Sequence, residues 1–246
     1  MSRNAIVVTG ASRGIGAGIA AELLRRGHHV ACLSRSGGMP SASDAADWRD
    51  RVLCLSCDVS NEKDLQSAFH DSADWAGGIK GLVNNAGVHG SGPSRAFSSQ
   101  EFERIMRINV NAVFVAAREV YPYLIQNDQS LIVNIGSFFA RMGAKYNVAY
   151  SASKAAVEAM TRCLAAEWGS KGIGLLTVAP GYIETEMNRA FLSDESNAAK
   201  VISRTPVGRV GMVNEVARLI AALYGERIAF LTGETIVVDG GRSMSL

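Results

Sequence analysis

The chain has 246 residues, 48% hydrophobic and 20% charged, a composition typical of a globular protein with a sizeable core. With a net charge of +2, the chain has no strong positive field that would attract nucleic acid or an anionic membrane. No apolar run is long enough to cross a bilayer. The apolar run at the N-terminus is also too short for a signal peptide, so we expect a cytoplasmic protein with neither kind of partner.

Seven apolar, β-branched runs predict strands, and helical patterns separate most of them. The strands are expected at 4–9, 28–34, 51–57, 80–84, 131–136, 173–179 and 234–238, and the helices at 14–26, 61–76, 99–126, 150–170 and 212–224. Alternating strands and helices indicate a parallel sheet covered by helices on both faces. We therefore predict one doubly wound α/β domain over residues 1–246, with a sheet of about seven strands.

The first predicted strand leads into a glycine-rich turn, TGASRGIG, and then into a helix. Gly10, Gly14 and Gly16 lack side chains, so the backbone can approach a pyrophosphate, and the following helix offers free amides and a positive dipole end. A glycine-rich turn is weak evidence alone, but its place between the first strand and a helix favours a dinucleotide site.

The sequence CLSC at residues 54–57 has the spacing of a redox pair. It lies within a predicted strand, where residues three apart point to opposite faces, so we favour two buried thiols. The four histidines show no metal-ligand spacing, and we predict no metal site.

Two segments interrupt the alternation of strands and helices. Residues 36–46 follow the second strand where a crossover helix is expected, and residues 183–210 insert a long polar stretch before the last helix. Loops of this length in compact domains are usually lids or binding loops, and we predict a substrate lid at 183–210.

Tyr150 and Lys154 stand four residues apart in a helical pattern of small residues, AYSASKAA. Such a pair projects from one face of a helix, and an ammonium near a phenol lowers the phenol's pKa. Alone, the pair is more often an exposed surface pair than a catalytic one. Ser137 ends the fifth predicted strand, where ligands bind in parallel α/β sheets, although a lone serine there is usually a cap or turn residue.

These motifs together resemble the short-chain dehydrogenase/reductase family, a family of Rossmann-type oxidoreductases, over essentially the whole chain. The resemblance rests on TGASRGIG, NNAG (84–87), Asn109, Ser137, Tyr150-x-x-x-Lys154, PG (180–181) and Thr185. It is closest to the 3-oxoacyl-[acyl carrier protein] reductases, through VAPGYIETEM, TPVGRVG and LTGETIVVDGG.

The resemblance implies a catalytic set of Asn109, Ser137, Tyr150 and Lys154. Tyr150 would protonate a carbonyl oxygen, Ser137 would bind that oxygen, and Lys154 would hold the nicotinamide ribose. The role of Asn109, holding a water that relays protons to the lysine, comes from the resemblance alone, since Asn111 fits the spacing as well. The implied cofactor-binding residues are Gly10, Ser12, Arg13, Gly14, Ile15, Gly16, Ser34, Arg35, Asp58, Val59, Asn85, Ala86, Gly87, Tyr150, Lys154, Pro180, Gly181, Ile183 and Thr185.

The second strand ends in Ser34 and Arg35, where NAD-dependent enzymes carry a carboxylate that binds the ribose 2′-hydroxyl. A serine does not repel a 2′-phosphate, and a guanidinium binds one well. Arg13 in the glycine turn is a second candidate cation. Either arginine alone could be merely solvated, but together they favour NADP(H).

The substrate is expected to contact Ser137, Phe138, Phe139, Tyr150 and Tyr182, giving an apolar, aromatic wall unless one phenylalanine packs in the core. Reduction of a 3-oxoacyl thioester is our first interpretation, with acyl carrier protein as a candidate partner. However, the segment QNDQS (126–130) lacks a cation to meet that acidic protein. The alternative substrate is a small ketone or secondary alcohol. An alternative from a different functional class is a cofactor-binding sensor without turnover.

The helical patterns at 99–126 and 150–170 are apolar on more than one face. Such helices are buried in the monomer or contribute to an interface. The resemblance implies a homotetramer formed through these helices and the last strand, with the tail RSMSL reaching a neighbour.

Overall fold

The computed structural model describes residues 3–40, 48–226 and 228–244. Its strands form one parallel sheet in the order β3-β2-β1-β4-β5-β6-β7, in which the chain reverses direction across the sheet between β1 and β4. The strands are β1 Ala5–Thr9, β2 Val30–Ser34, β3 Val52–Ser56, β4 Ile79–Asn84, β5 Ser130–Ile135, β6 Ile173–Pro180 and β7 Thr235–Val238. The predicted fold class is thus confirmed, and all seven predicted strands are present.

Helices cover both faces of this sheet. They are α1 Gly14–Arg25, α2 Glu62–Ala76, α3 Ser99–Met106, α4 Ala112–Leu124, α5 Val148–Trp168, α6 Arg189–Leu192, α7 Glu195–Ser203 and α8 Val213–Glu226. One apolar core lies under α1 and α8, and the other under α2, α4 and α5. Successive residues of β1 alternate between them, Ile6 and Val8 in the first core and Val7 in the second, as the two-residue strand period requires.

The predicted helix at 99–126 is interrupted in the structure. A π-helical turn, Arg107–Asn111, separates α3 from α4. Single π turns inside helices commonly mark functional sites, because the extra residue redirects a side chain. Here the turn carries Asn109, which is fully buried.

The segment 183–210 is partly helical, because α6 and α7 lie within it. A bridge between Ile183 and Gly211 joins its two ends, so the segment leaves and re-enters the fold at one place. The other predicted loop, 36–46, is irregular over residues 36–40, and its remainder lies outside the described residues, as do Ser245 and Leu246 of the predicted tail.

The CLSC thiols point to opposite sides of the sheet, as expected for a strand. Cys54 packs against the core under α1 and α8, whereas Cys57 is buried in the other core. The neighbour of Cys54 is Cys32, its register partner on β2, and not Cys57. The redox spacing is therefore a coincidence of sequence.

Candidate active site

The glycine turn lies at the carboxyl end of β1, where the strand order reverses. Gly10 and Gly14 adopt φ values of 65° and 55°, in the left-handed region that favours glycine. A Cβ on Gly16 would stand 2.3 Å from the Gly10 carbonyl oxygen, so α1 can start this close to the turn only with glycine. Around Gly14 the nearest atom to such a Cβ is 3.8 Å away, on Thr185, which leaves the turn open to a ligand.

Thr9 and Asn85 join the two strands that flank this crevice. The Thr9 hydroxyl accepts hydrogen bonds from the backbone N–H groups of Asn85 and Ala86, each at 3.0 Å. The Asn85 amide nitrogen donates to the carbonyl oxygens of Thr9, at 2.9 Å, and Gly10, at 3.2 Å. These four bonds hold the NNAG segment against the glycine turn, so the predicted cofactor residues of β1 and β4 lie together.

At the end of β2, Ser34 stands in the position where a carboxylate would bind a ribose 2′-hydroxyl, and the cation Arg35 follows it. Ser34 is buried, and its hydroxyl lies 3.3 Å from that of Ser36, while Arg35 is exposed beside it. Arg13 is exposed too and forms a 3.8 Å ion pair with Glu186 of the 183–210 segment. An exposed pair this long contributes little free energy, so it leaves the guanidinium free to bind a phosphate.

Asp58, after β3, is an ionised carboxylate. Hydrogen bonds from the backbone N–H of Ser60, at 2.9 Å, and then from its hydroxyl, at 2.8 Å, hold the pKa of Asp58 below its usual value. Val59, next in the chain, packs against the core under α2. This fixed turn borders the crevice on the β3 side.

Ser137, Tyr150 and Lys154 come together at the end of β5. The Ser137 hydroxyl lies near enough to the Tyr150 phenol to affect its pKa, and the Lys154 ammonium lies 5.7 Å from the centre of the Tyr150 ring. Lys154 is buried and donates to the Ile135 carbonyl oxygen at 2.7 Å. The ammonium is therefore anchored to β5, one helical turn from the phenol on α5.

The pKa values in this cluster differ from the expected direction. Burial raises the pKa of Tyr150, although the Ser137 hydrogen bond opposes the rise. Burial also lowers the pKa of Lys154 to about 8. The expected lowering of the tyrosine's pKa by Lys154 is not seen, because burial sets the direction of both shifts.

Asn109 is held in place by three hydrogen bonds. Its amide oxygen accepts from the Val88 N–H, and its nitrogen donates to the Val88 carbonyl, both at 2.9 Å. The nitrogen also donates to the Ser153 hydroxyl at 3.1 Å, and that hydroxyl donates to the Tyr150 carbonyl oxygen. Asn109 thus connects the chain after NNAG to the helix of Tyr150, whereas Asn111 is exposed.

Aromatic rings form one wall beside Ser137 and Tyr150. Phe138 and Phe139 stack at 4.2 Å, and Phe138 lies 5.4 Å from Tyr182. Phe138 is buried, so it is the phenylalanine that packs in the core, while Phe139 is half-buried and faces Tyr150 at 6.4 Å. Phe191 of α6 stacks on Tyr182 at 6.0 Å and ties the 183–210 segment to the wall.

The last predicted cofactor residues lie where β6 leads into this segment. Pro180 ends β6, and a Cβ on Gly181 would stand 2.7 Å from Asp239, so the two chains pass in close contact. Ile183 is buried. The Thr185 N–H and hydroxyl both donate to Asn188.

The residues of the crevice fit a nicotinamide dinucleotide. Glycine lines the place for a pyrophosphate, exposed guanidiniums stand in the glycine turn (Arg13) and directly after β2 (Arg35), and a buried ammonium stands beside the phenol. Among the described residues, no group of three or more His, Cys, Asp or Glu side chains could hold a metal ion, and no helix is long and apolar enough to cross a membrane.

Several contacts within the site were not predicted from the sequence. The ring of His89 lies against Tyr150, Asn147 bonds that ring, and Arg141 pairs with the buried Glu158 of α5 at 3.2 Å. No local pattern pairs residues 17 or 58 apart, so only the fold reveals these contacts.

The fold and site define a dinucleotide-dependent oxidoreductase of Rossmann type. The sequence model of a family described as enoyl-(acyl carrier protein) reductase matches residues 10–243. The chain is 36% identical to the 3-oxoacyl-[acyl-carrier-protein] reductase FabG of Vibrio cholerae, over 97% of this chain and 96% of that protein. It is 34% identical to 2-(R)-hydroxypropyl-CoM dehydrogenase of Xanthobacter autotrophicus, over 98% of each.

A gluconate 5-dehydrogenase from Burkholderia cenocepacia, solved in complex with NADP and tartrate, superposes with a TM-score of 0.90. It is 31% identical, over 100% of this chain and 97% of that one. The chain belongs to the short-chain dehydrogenase/reductase family, as the motifs predicted. It is an oxidoreductase acting on a CH–OH group or ketone, and the prediction of NADP(H) is confirmed. The similar proteins act on different substrates, so the family does not define this chain's own.

Proposed function

We propose that the chain reduces a ketone to a secondary alcohol with NADPH, and that Tyr150 is the proton donor. The observation that carries this proposal is the closeness of the Tyr150 phenol to the Ser137 hydroxyl, beside the buried ammonium of Lys154. Two hydroxyls in contact can bind one carbonyl oxygen together, and this oxygen becomes negative as reduction proceeds. NADPH, when bound, supplies the hydride.

The residues around Tyr150 keep it suited to donating a proton. Because burial raises its pKa, the phenol is protonated at neutral pH, as an acid must be before it acts. Ser137 orients the substrate oxygen, and Lys154 stabilises the phenolate that remains after transfer. Asn109 holds the start of α5 through Ser153, and we assign to its amide the binding of a water that returns protons to Lys154.

The predicted cofactor residues are assigned here to NADP(H) in three groups. The glycine turn binds the pyrophosphate, Arg13, Ser34 and Arg35 bind the 2′-phosphate, and Asp58 with the NNAG segment binds the adenosine. Ser34 and Arg35 at the end of β2, where NAD-dependent enzymes carry a carboxylate, support the choice of NADP(H) over NAD(H). Titration of the protein with NADPH and NADH tests it, and equal or tighter binding of NADH would contradict it.

For the substrate we propose a 3-oxoacyl thioester, on the similarity to the Vibrio cholerae reductase. The aromatic wall of Phe139, Tyr182 and Phe191 favours a second candidate, a small apolar or aromatic ketone. The segment 126–130 also offers no cation to an acidic carrier protein. Assays with an acyl carrier protein thioester and with a small β-keto ester separate the two, because turnover of the ester alone would exclude the carrier-protein role.

A screen of carbonyl compounds with NADPH, and of alcohols with NADP⁺, tests the activity itself. Tyr150→Phe is the control, since it removes only the hydroxyl. We expect the variant to bind NADPH like the wild type and to lose turnover by about 10²- to 10⁴-fold, the usual contribution of a general acid. If no compound gives turnover that depends on Tyr150, the chain is a cofactor-binding sensor instead.

We also propose that the chain works as a single domain, with 183–210 as its lid, and assembles as a homotetramer. Exposed apolar side chains on α4 and just after it (Phe114 and Ile125) and before β7 (Ile228 and Phe230) support the assembly. A cytoplasmic location stays a prediction.

A further inference from the structure

His89 lies beside the ring of Tyr150. It follows the NNAG segment by two residues, and its ring meets that of Tyr150 edge-on, with the ring centres 4.9 Å apart and the planes at 69°. Phe139 approaches Tyr150 at 6.4 Å and 83°. The ring of Tyr150 therefore has an aromatic neighbour from the loop after β4 and another from the loop after β5.

A hydrogen bond to Asn147 fixes the orientation of His89. The Asn147 amide nitrogen donates to the Lys145 carbonyl oxygen at 2.8 Å, so its amide oxygen is the atom that faces His89. This oxygen lies 2.7 Å from Nε2 of His89. An amide oxygen only accepts hydrogen bonds, so Nε2 must carry the proton.

Asn147 stands immediately before α5 and would ordinarily bond the free N–H groups of the first helical turn. Its side chain makes no such bond here. The amide oxygen of Asn147 accepts a hydrogen bond from His89 instead. The helix thereby loses a stabilising cap, and the imidazole ring is held beside the phenol.

We propose that His89 is a positioning residue for the reaction. Its ring sets the direction of the Tyr150 phenol toward Ser137, and Asn147 sets the direction of His89. The proposal rests on the proposed role of Tyr150 as the proton donor. It predicts that the ring of His89 matters for the proton-transfer step and that Asn147 acts only through that ring.

Single-turnover rates of NADPH oxidation, with the best ketone of the screen, test this order of action. His89→Ala and His89→Gln lose the ring and should slow the step by about 10- to 100-fold, the usual effect of a small misplacement of a reacting group. His89→Phe keeps a ring without the hydrogen bond and should lie between wild type and His89→Ala. Asn147→Ala should slow the wild type but add nothing to His89→Ala.

His70→Ala is the matched control, since His70 is an exposed histidine on α2 paired with Asp74, away from the site. A structural role would lower the melting temperature or NADPH affinity in parallel with the rate. We expect both to stay near wild type in His89→Phe. A wild-type rate in His89→Ala or His89→Gln, or additive effects of the two substitutions, would overturn the proposal.

Solution NMR provides a test that needs no turnover. In protein with ¹³C-labelled tyrosine rings, the Tyr150 signal is identified by its loss in Tyr150→Phe. It should shift in His89→Ala and in Asn147→Ala, and stay in place in His70→Ala. An unmoved signal would refute the inference even in an active enzyme, whereas a shifted signal in an inactive protein would refute only the proposed function.

Discussion

At the scale of single residues, burial decides the chemistry of the site. Burial removes water from both Tyr150 and Lys154. It raises the pKa of the phenol, which stays neutral, and lowers the pKa of the lysine. This arrangement suits an acid that works at neutral pH. It also gives the two directions of the reaction opposite dependences on pH.

Reduction needs the neutral phenol and alcohol oxidation needs the phenolate, and the pKa of Tyr150 is raised in the free protein. We therefore expect the rate of oxidation to increase as pH rises above neutrality, while the rate of reduction stays level and then falls. Initial rates in both directions across a pH series measure this. A rate of oxidation that is highest at acidic pH would contradict the assignment of Tyr150.

The buried lysine carries a cost in stability that can be measured. Its pKa falls from the ordinary value of 10.5 to about 8, so the unfolded chain binds more protons between these values and stability from this group rises with pH. At pH 7 the cost is roughly 3 kcal/mol, from about 1.4 kcal/mol per pKa unit. Lys154→Met should raise the melting temperature most below pH 8, and the gain should shrink toward pH 10.5. Lys171→Met, at an exposed site, should show no such trend.

At the scale of elements, close packing fixes the glycines of α1. A Cβ on Gly16 would lie 2.3 Å from the Gly10 carbonyl oxygen, whereas on Gly225 of α8 it would meet nothing within 4 Å. We expect Gly16→Ala to destabilise the protein by about 1–3 kcal/mol and to weaken NADPH binding. Gly225→Ala should be neutral or stabilise by up to about 1 kcal/mol, since alanine favours helix. Denaturant unfolding and cofactor titration compare the pair, and equal effects would contradict the packing argument.

The elements also show what the sequence could predict. Apolar runs and helical periods gave every strand and the helices α1, α2, α5 and α8, because burial on a sheet imposes these patterns locally. The interruption at 107–111 was missed, since the residues RINVN continue the helical period of their neighbours. The short helices of the 183–210 segment were missed for the opposite reason, because they bury little and leave no strong pattern.

The candidate site was predictable where its spacing is local or its motif is shared with relatives. Tyr150 and Lys154 are one turn apart, and the glycine turn has a sequence signature. The contacts of His89 with Asn147 and of Arg141 with Glu158 join distant positions, and burial that raises the tyrosine pKa is a property of the folded surroundings. Such features follow from tertiary packing, which one sequence does not display.

At the scale of the whole molecule, uncovered apolar surface argues for assembly. Phe114 on α4 is 42% exposed, Ile125 just after α4 is 45% exposed, and Phe230 is fully exposed before the edge strand β7. We expect light scattering to give the mass of a tetramer. Phe114→Asp and Phe230→Asp should each reduce it toward a dimer, if α4 and the β7 edge form two different interfaces. A monomer mass for the wild type would refute the assembly.

The order of the sheet has a consequence for synthesis on the ribosome. The glycine turn, the end of β2 and the NNAG segment all emerge within the first 87 residues, long before α5. However, the face of α1 that carries Ile19 and Leu23 belongs to the same core as Val216 and Ile220 of α8, which is made well after α5. A nascent chain therefore holds its nucleotide crevice beside an uncovered apolar helix face until α8 has been made. Chains stalled before residue 213 should be captured by chaperones, and emergence of α8 from the ribosome should let this core close.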